Sequence, residues 1–233
     1  SNAYLMLAVP LGLIYLQPDL GTMLVFVAIG MGVLLVAGAQ LKHIFVTTVI
    51  GIIVVVAVFN SDNLGGPELL RESQEQRLTA FLDPGFDVRG ASYNVNQSQI
   101  AIGAGGFRGQ GWLQGTQTNL NLVPEQETDF IFTALGEEFG FVGVTLLLLL
   151  YAYMLARIWF IARASNDLFG AFACVGALSM FTFQIFQNIG MTMGLMPITG
   201  IPLPFLSHGG SSTVVAFGLI GLVVNVSARR HLT

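Results

Sequence analysis

Six stretches of this chain are dominated by apolar side chains: 4–16, 20–39, 44–59, 130–161, 169–196 and 213–226. Within them the apolar residues do not keep to one stripe, the pattern of a helix surrounded by lipid or core and not of a surface helix. About 20 such residues span a bilayer. The first run is shorter. It follows Ser1-Asn2-Ala3, residues 1–3, which look like a tag remnant and are set aside. It reads as the tail of a spanning segment, so the chain is expected to be a C-terminal fragment of a longer protein. The third and sixth runs are short but extendable by their flanks. The run 130–161 exceeds one upright span, so its ends project or the helix tilts. Pro197, Pro202 and Pro204 stop the fifth run. The expected fold is an all-α integral membrane protein, a polytopic helical bundle of about six spanning segments with one large extracytoplasmic loop.

Composition agrees. The 233 residues are 54% hydrophobic and 9% charged, with a mean hydropathy of +0.73, whereas soluble domains carry about 25% charge. Lipid must be the solvent for much of the surface. Cys174, the single cysteine, lies in an apolar run; it forms no intrachain disulfide and reads as a small core hydrophobe. Charge gives an orientation. Lys42, Arg157, Arg163, Arg229 and Arg230 share one side if all six runs cross, and the positive-inside rule makes that side cytoplasmic. Residues 4–59 then hold three membrane segments, 60–129 form the outer loop, and 130–230 hold the last three segments with a re-entrant or extracytoplasmic loop at 197–212. Within the outer loop, apolar residues at 69, 70, 78 and 81 suggest a helix near 67–82, lying on the membrane or plainly solvated. The following stretch is dense in Gly, Asn and Gln. Its glycines follow no nucleotide-binding spacing and no βαβ unit surrounds them, so they are expected to serve tight turns and close backbone approach.

Three polar clusters fall on the outer side: Gln17 to Thr22, Glu125 to Asp129, and residues 197–212. Distant polar motifs on one face of a bundle suggest a shared cavity. A carboxylate inside a membrane costs about 2.5–3.5 kcal/mol on insertion scales, so these acids are candidates for function. Asp19 has two readings, a helix N-cap or a cavity residue. A cap at Thr128 or Asp129 explains one residue there but not three acids at 125, 127 and 129. Their mutual repulsion raises a pKa and a helix N-terminus lowers it, so the net direction stays open. Glu137 and Glu138 serve either bundle hydrogen bonding or function. His208 reads as a loop residue: no second His or Cys is spaced for zinc. No Ser-His-Asp pattern supports hydrolysis.

These motifs identify a family. "QPDLGT" at 17–22, "GWLQGTQTNLNLVPEQETDFIF" at 111–132, "GEEFGFVG" at 136–143 and "GIPLPFLSHGGSS" at 200–212 together resemble the SEDS proteins of bacterial shape, elongation, division and sporulation. "GWLQGTQT" is more similar to the elongation member RodA than to the division member FtsW. Two positions depart from the family pattern: Glu127 stands where histidine is usual and His208 where tyrosine is usual. The resemblance implies the last six or seven of ten spanning helices. It implies a peptidoglycan glycosyltransferase of cell wall biogenesis that polymerises lipid II at the outer face of the bacterial cytoplasmic membrane, beside a class B penicillin-binding protein. The family's essential loop aspartate maps onto Asp129, as base for the acceptor hydroxyl. Gln17, Asp19, Gln97, Arg108, Glu125, Thr128, Ser207 and Ser211 are the candidates for substrate binding. The pyrophosphate needs positive charge, from Arg108, with Arg71, Arg77 or Arg89 as alternatives, or from a divalent cation (Mg or Mn) held by carboxylates; no other cofactor is implied. A lipid II flippase and a non-catalytic scaffold are the other function classes. The fragment alone is expected to be inactive.

Overall fold

The computed structural model describes residues 2–17, 19–59, 91–120 and 122–229, together with 77, 79 and 81. Its helices, in order, are α1 (Asn2–Leu16), α2 (Leu20–Val36), α3 (Leu41–Phe59), α4 (Ala91–Gly105), the single turn α5 (Thr116–Asn119), α6 (Ile131–Arg163), α7 (Leu168–Thr192) and α8 (Gly210–Arg229). No strand occurs among the described residues. Each of the six apolar runs is helical. Among the described residues α6, α7 and α8 are long and apolar enough to cross a membrane; α1, α2 and α3 have 15, 17 and 19 residues. Most of the proposed surface helix at 67–82 lies outside the described residues, though 77, 79 and 81 are helical.

Helix α7 is the hub. It packs against α2, α6 and α8, and against α4 near its C-terminal end. Its Cys174, Ala177, Phe181 and Ile185 form one core with Phe132, Tyr151 and Ile158 of α6 and Ala216 and Val223 of α8. Cys174 is free and buried there, as its apolar setting implied. Small residues bring α2 close: a Cβ at Gly32 would overlap the Ser179 side chain, and Gly176 lies against Ile29 and Val33. Outward, α6 and α8 expose Leu146, Leu149, Phe160, Phe217 and Val224, the surface a bilayer covers. Gly221 to Arg229 lie beside Ser165 to Ala173, and Ser211 to Ala216 beside Met180 and Gln184. Helices α7 and α8 are therefore antiparallel, and Arg163 and Arg229 gather at the end opposite Asp129.

The run too long for one span is a broken helix. Gly140 sits inside α6 at φ 62°, ψ −160°. Residues 106–111 thread into the break: Gln110 N donates to Glu137 O (2.9 Å), Gly111 N to Glu138 O (3.0 Å), Phe141 N to Gly106 O (2.9 Å) and Val142 N to Phe107 O (3.2 Å). The loop thus satisfies the backbone groups that the kink removes from the helical ladder. Only glycine permits this contact. A Cβ at Gly140 would fall on the backbone of Gly109 and Gly105, one at Gly109 on the backbone of Glu138, and one at Gly105 on Gly136 O. The close approach expected of this glycine-dense loop is an approach to α6. Gly140→Ala is expected to destabilise the protein by about 1–3 kcal/mol from backbone conformation alone, with overlap adding to it. An unchanged unfolding midpoint in detergent would contradict the interlock.

Helix α4 corrects the sequence reading, which left residues 91–105 in an irregular polar stretch. Its buried stripe is Ser98, Ala101 and Gly105, spaced i, i+3, i+7. Ser98 Oγ hydrogen-bonds Thr133 Oγ1 (2.5 Å) and donates to Thr192 O (2.8 Å), and Ile102 packs on Gly136. The helix buries small residues by backbone proximity, so a search for large apolar side chains passes over it.

Candidate active site

From Met193 to Gly209 the chain is not helical, yet Ile201, Leu203 and Pro204 are buried. Its polar backbone is met by side chains from the bundle, as a buried irregular segment requires. Gln187 Nε2 donates to Pro197 O (2.9 Å), Asn188 Nδ2 to Ile201 O (2.8 Å) and Tyr151 OH to Pro204 O (2.7 Å). Ser207 Oγ accepts from Leu203 N (2.7 Å), so this candidate substrate ligand is committed to the turn at 203–207.

The acidic cluster is stitched to this segment. Asn188, 0% exposed, also donates from Nδ2 to Asp129 O (2.8 Å), and His208 N donates to Glu127 O (2.8 Å). Glu125 takes a left-handed conformation, φ 54°. Its carbonyl accepts from Thr128 N (3.3 Å), Asp129 N (3.0 Å) and Phe130 N (3.2 Å). Thr128 Oγ1 adds bonds to Glu125 O (3.2 Å) and Oε2 (3.1 Å). The turn sets the Asp129 carboxylate against Gly200: a Cβ there would lie 3.3 Å from Asp129 Oδ2 and 4.0 Å from Arg77 Nη1.

Gly200 in turn lines a cavity of about 520 Å³ with Asp19, Thr22, Gln184, Phe205 and Ser211. Behind it, Gly21 packs on Thr199 O at a distance that admits no side chain. The three polar clusters therefore meet at one end of the bundle. Asp19 fits both of its readings: it accepts from Thr22 N (2.9 Å) and Thr22 Oγ1 (2.5 Å) at the start of α2 and lines the cavity. Glu125, Thr128 and Asp129 lie on the turn beside the cavity, outside its lining. Gln17 and Arg108 are exposed and Gln97 is half-buried on α4; none of these three lines this cavity.

The direction of the Asp129 titration, open from sequence, is upward. Burial raises its carboxyl above the ordinary range, the Glu125 carboxylate raises it further, and the Arg77 guanidinium opposes both. Two buried oxygens in this region, Thr199 Oγ1 and Asn188 Oδ1, have no hydrogen-bond partner.

Glu137 answers differently. It is 0% exposed on α6 and accepts from Gln117 N (2.8 Å), Thr118 N (2.9 Å), Thr118 Oγ1 (2.5 Å) and Thr116 Oγ1 (3.2 Å). It caps α5 and gathers the "GTQT" stretch around one carboxylate, a structural role. Sequence reasoning missed Asn188; its signal was the polar pair Gln187-Asn188 inside an apolar run. Among the described residues no group of three or more His, Cys, Asp or Glu side chains could hold a metal ion. A divalent cation here would take substrate oxygens and water as its other ligands.

The profile of the FtsW–RodA–SpoVE family, described as cell cycle protein, matches residues 2–232. The chain is 39% identical to the peptidoglycan glycosyltransferase MrdB of Escherichia coli K12, covering 99% of this chain and 60% of MrdB. A structure titled "Structural coordination of polymerization and crosslinking by a peptidoglycan synthase complex" aligns with a TM-score of 0.80 at 32% identity, over 99% of this chain and 62% of the other. The rod shape determining protein RodA of Thermus thermophilus aligns with a TM-score of 0.62 at 29% identity, over 98% and 56%. The chain thus spans about three fifths of the relatives it matches.

Proposed function

The chain belongs to the FtsW–RodA–SpoVE family of cell cycle proteins, and on that premise we propose that it forms the catalytic end of a peptidoglycan glycosyltransferase. The protein joins lipid II disaccharide units at the outer face of the bacterial cytoplasmic membrane during cell elongation. The observation that carries this reading is the half-buried Asp129 carboxylate, set against Gly200, which lines a cavity shared by the segments 17–22 and 197–212. The acceptor's 4-hydroxyl oxygen attacks the donor's anomeric carbon, the bond from that carbon to the pyrophosphate oxygen breaks, and the hydroxyl proton passes to Asp129. The pyrophosphate leaves on its lipid. Positioning by Asp19 and Ser211 and proton transfer to Asp129 are the chain's own contributions. Arg163 and Arg229 at the far end support a cytoplasmic assignment of that end by the positive-inside rule. A class B penicillin-binding protein is the partner, in keeping with the similar structure of a peptidoglycan synthase complex.

One observation favours translocation of lipid II instead. A second cavity, about 630 Å³, opens at the opposite end and is lined by Asp167, Asn225 and Arg229. The buried core of Cys174, Ala177 and Phe181 lies between the two cavities, which favours polymerisation. Full-length protein with its partner, supplied with labelled lipid II, should yield glycan chains. Transfer of lipid II across vesicles without chain formation would favour the flippase.

The raised pKa has a kinetic consequence. A base works only when ionised, so the acid limb of kcat against pH lies above the ordinary carboxylate range. Glu125→Gln removes a raising charge and should move that limb to lower pH, while Arg77→Ala should move it higher. Identical limbs in all three proteins would disconnect Asp129 from the rate.

A further inference from the structure

Beside the candidate active site lies a smaller cavity that none of the roles above uses. It measures about 90 Å³, and its polar lining is Arg77, Ser92, Asn96 and Gln99, with Phe81 and Met196 as apolar walls. Ser92, Asn96 and Gln99 fall at i, i+4 and i+7 on one face of α4. Ser92 is 2% exposed, and its Oγ has no hydrogen-bond partner although it lines the cavity. One amide hydrogen of Gln99 is used, on Met193 O (2.9 Å); Asn96 is exposed. Among the described residues the lining thus offers a guanidinium, a hydroxyl and two carboxamides, and no carboxylate.

We propose that this cavity is a phosphate-binding subsite, which holds the pyrophosphate of the lipid-linked donor while Asp129 serves the acceptor. A tetrahedral oxyanion group matches a small cavity whose charged lining residue, among those described, is an arginine, and an arginine fork grips two of its oxygens. The cavity has less than a fifth of the volume of the one lined by Asp19, which suits a phosphate and not a sugar bearing a peptide. Arg77 joins the two sites, because it lines this cavity and also approaches Gly200 from the side of Asp129. Only the naming of the anion as the donor's pyrophosphate rests on the polymerase reading; phosphate binding does not.

The test is binding of inorganic pyrophosphate to purified full-length protein, by calorimetry. Wild type should bind. Ser92→Asp, which places a negative charge in the cavity, and Arg77→Ala should each raise Kd by about tenfold or more, and the milder Ser92→Ala by about threefold. Asp129→Asn should bind as well as wild type or more tightly. Absence of binding by the wild type, or wild-type affinity in Arg77→Ala and Ser92→Asp, would overturn the subsite. Its source is read by competition: displacement by undecaprenyl pyrophosphate but not by phosphatidylglycerol nanodiscs supports the substrate, and displacement by both supports a general phosphate-headgroup site. Binding that persists in a protein that makes no glycan refutes the polymerase reading and leaves the subsite standing.

Discussion

Asp129→Asn should lower glycan chain formation by about 10²–10⁴-fold, the usual contribution of a positioned base, without disturbing the fold. The substitution keeps the side chain's size. The backbone bonds of residue 129, from its N to Glu125 O and to its O from Asn188 Nδ2, do not involve the carboxylate. Burial already opposes the charged form, so a neutral amide is tolerated there. The loss should appear in kcat with KM for lipid II little changed, and the unfolding midpoint and binding of the penicillin-binding protein should match wild type. A variant that polymerises normally would remove Asp129 as base. A variant that fails to bind the partner would make the residue structural.

Glu137→Ala should have the largest effect on stability. Four donors converge on this carboxylate from three consecutive residues of α5, and truncation leaves them facing a buried gap. Hydrogen bonds to a charged acceptor contribute about 1.5–3 kcal/mol each before partial rehydration. A net loss of about 3–5 kcal/mol is expected, which lowers the melting temperature by on the order of 10 °C. Glu137→Gln retains one acceptor oxygen but sets an amide N–H₂ against donors, so it should fall between Ala and wild type. Because residues 110 and 111 pair with the same part of α6, faster proteolysis of 106–120 should accompany the change. Wild-type stability in Glu137→Ala would show that the carboxylate does not organise this loop.

Much of the bundle is legible in sequence because lipid imposes a simple rule, apolar on all faces over a fixed length. That rule finds α1, α2, α3, α6, α7 and α8. It fails at α4, whose packing depends on the absence of side chains at Ala101 and Gly105, and it cannot locate the break in α6, because Gly140 is one glycine among many until its partner loop is known. The acids at 125, 127 and 129 stand out through their cost near lipid, which draws attention to this turn. Residue pattern alone does not separate them; the resemblance singles out Asp129, and the coordinates set its carboxylate against Gly200 and leave Glu125 at the turn. Ser207 enters as a candidate with the resemblance, and the coordinates add that its oxygen accepts from Leu203 N in a turn. Asn188 goes unnoticed because the amides at 184, 187 and 188 sit in a long apolar run that reads as a plain span. Here it joins the Asp129 carbonyl to the Ile201 carbonyl, two segments more than 70 residues apart.

The most direct measurement is photoaffinity mapping of full-length protein in complex with its partner, using lipid II that bears a small photoreactive group on its sugar, followed by peptide mass spectrometry. Labelling should concentrate in 17–22, 125–130 and 200–212 together and vanish with excess unlabelled lipid II. Label confined to one of these segments, or spread over the lipid-facing surfaces of α6 and α8, would contradict a shared pocket at Asp129.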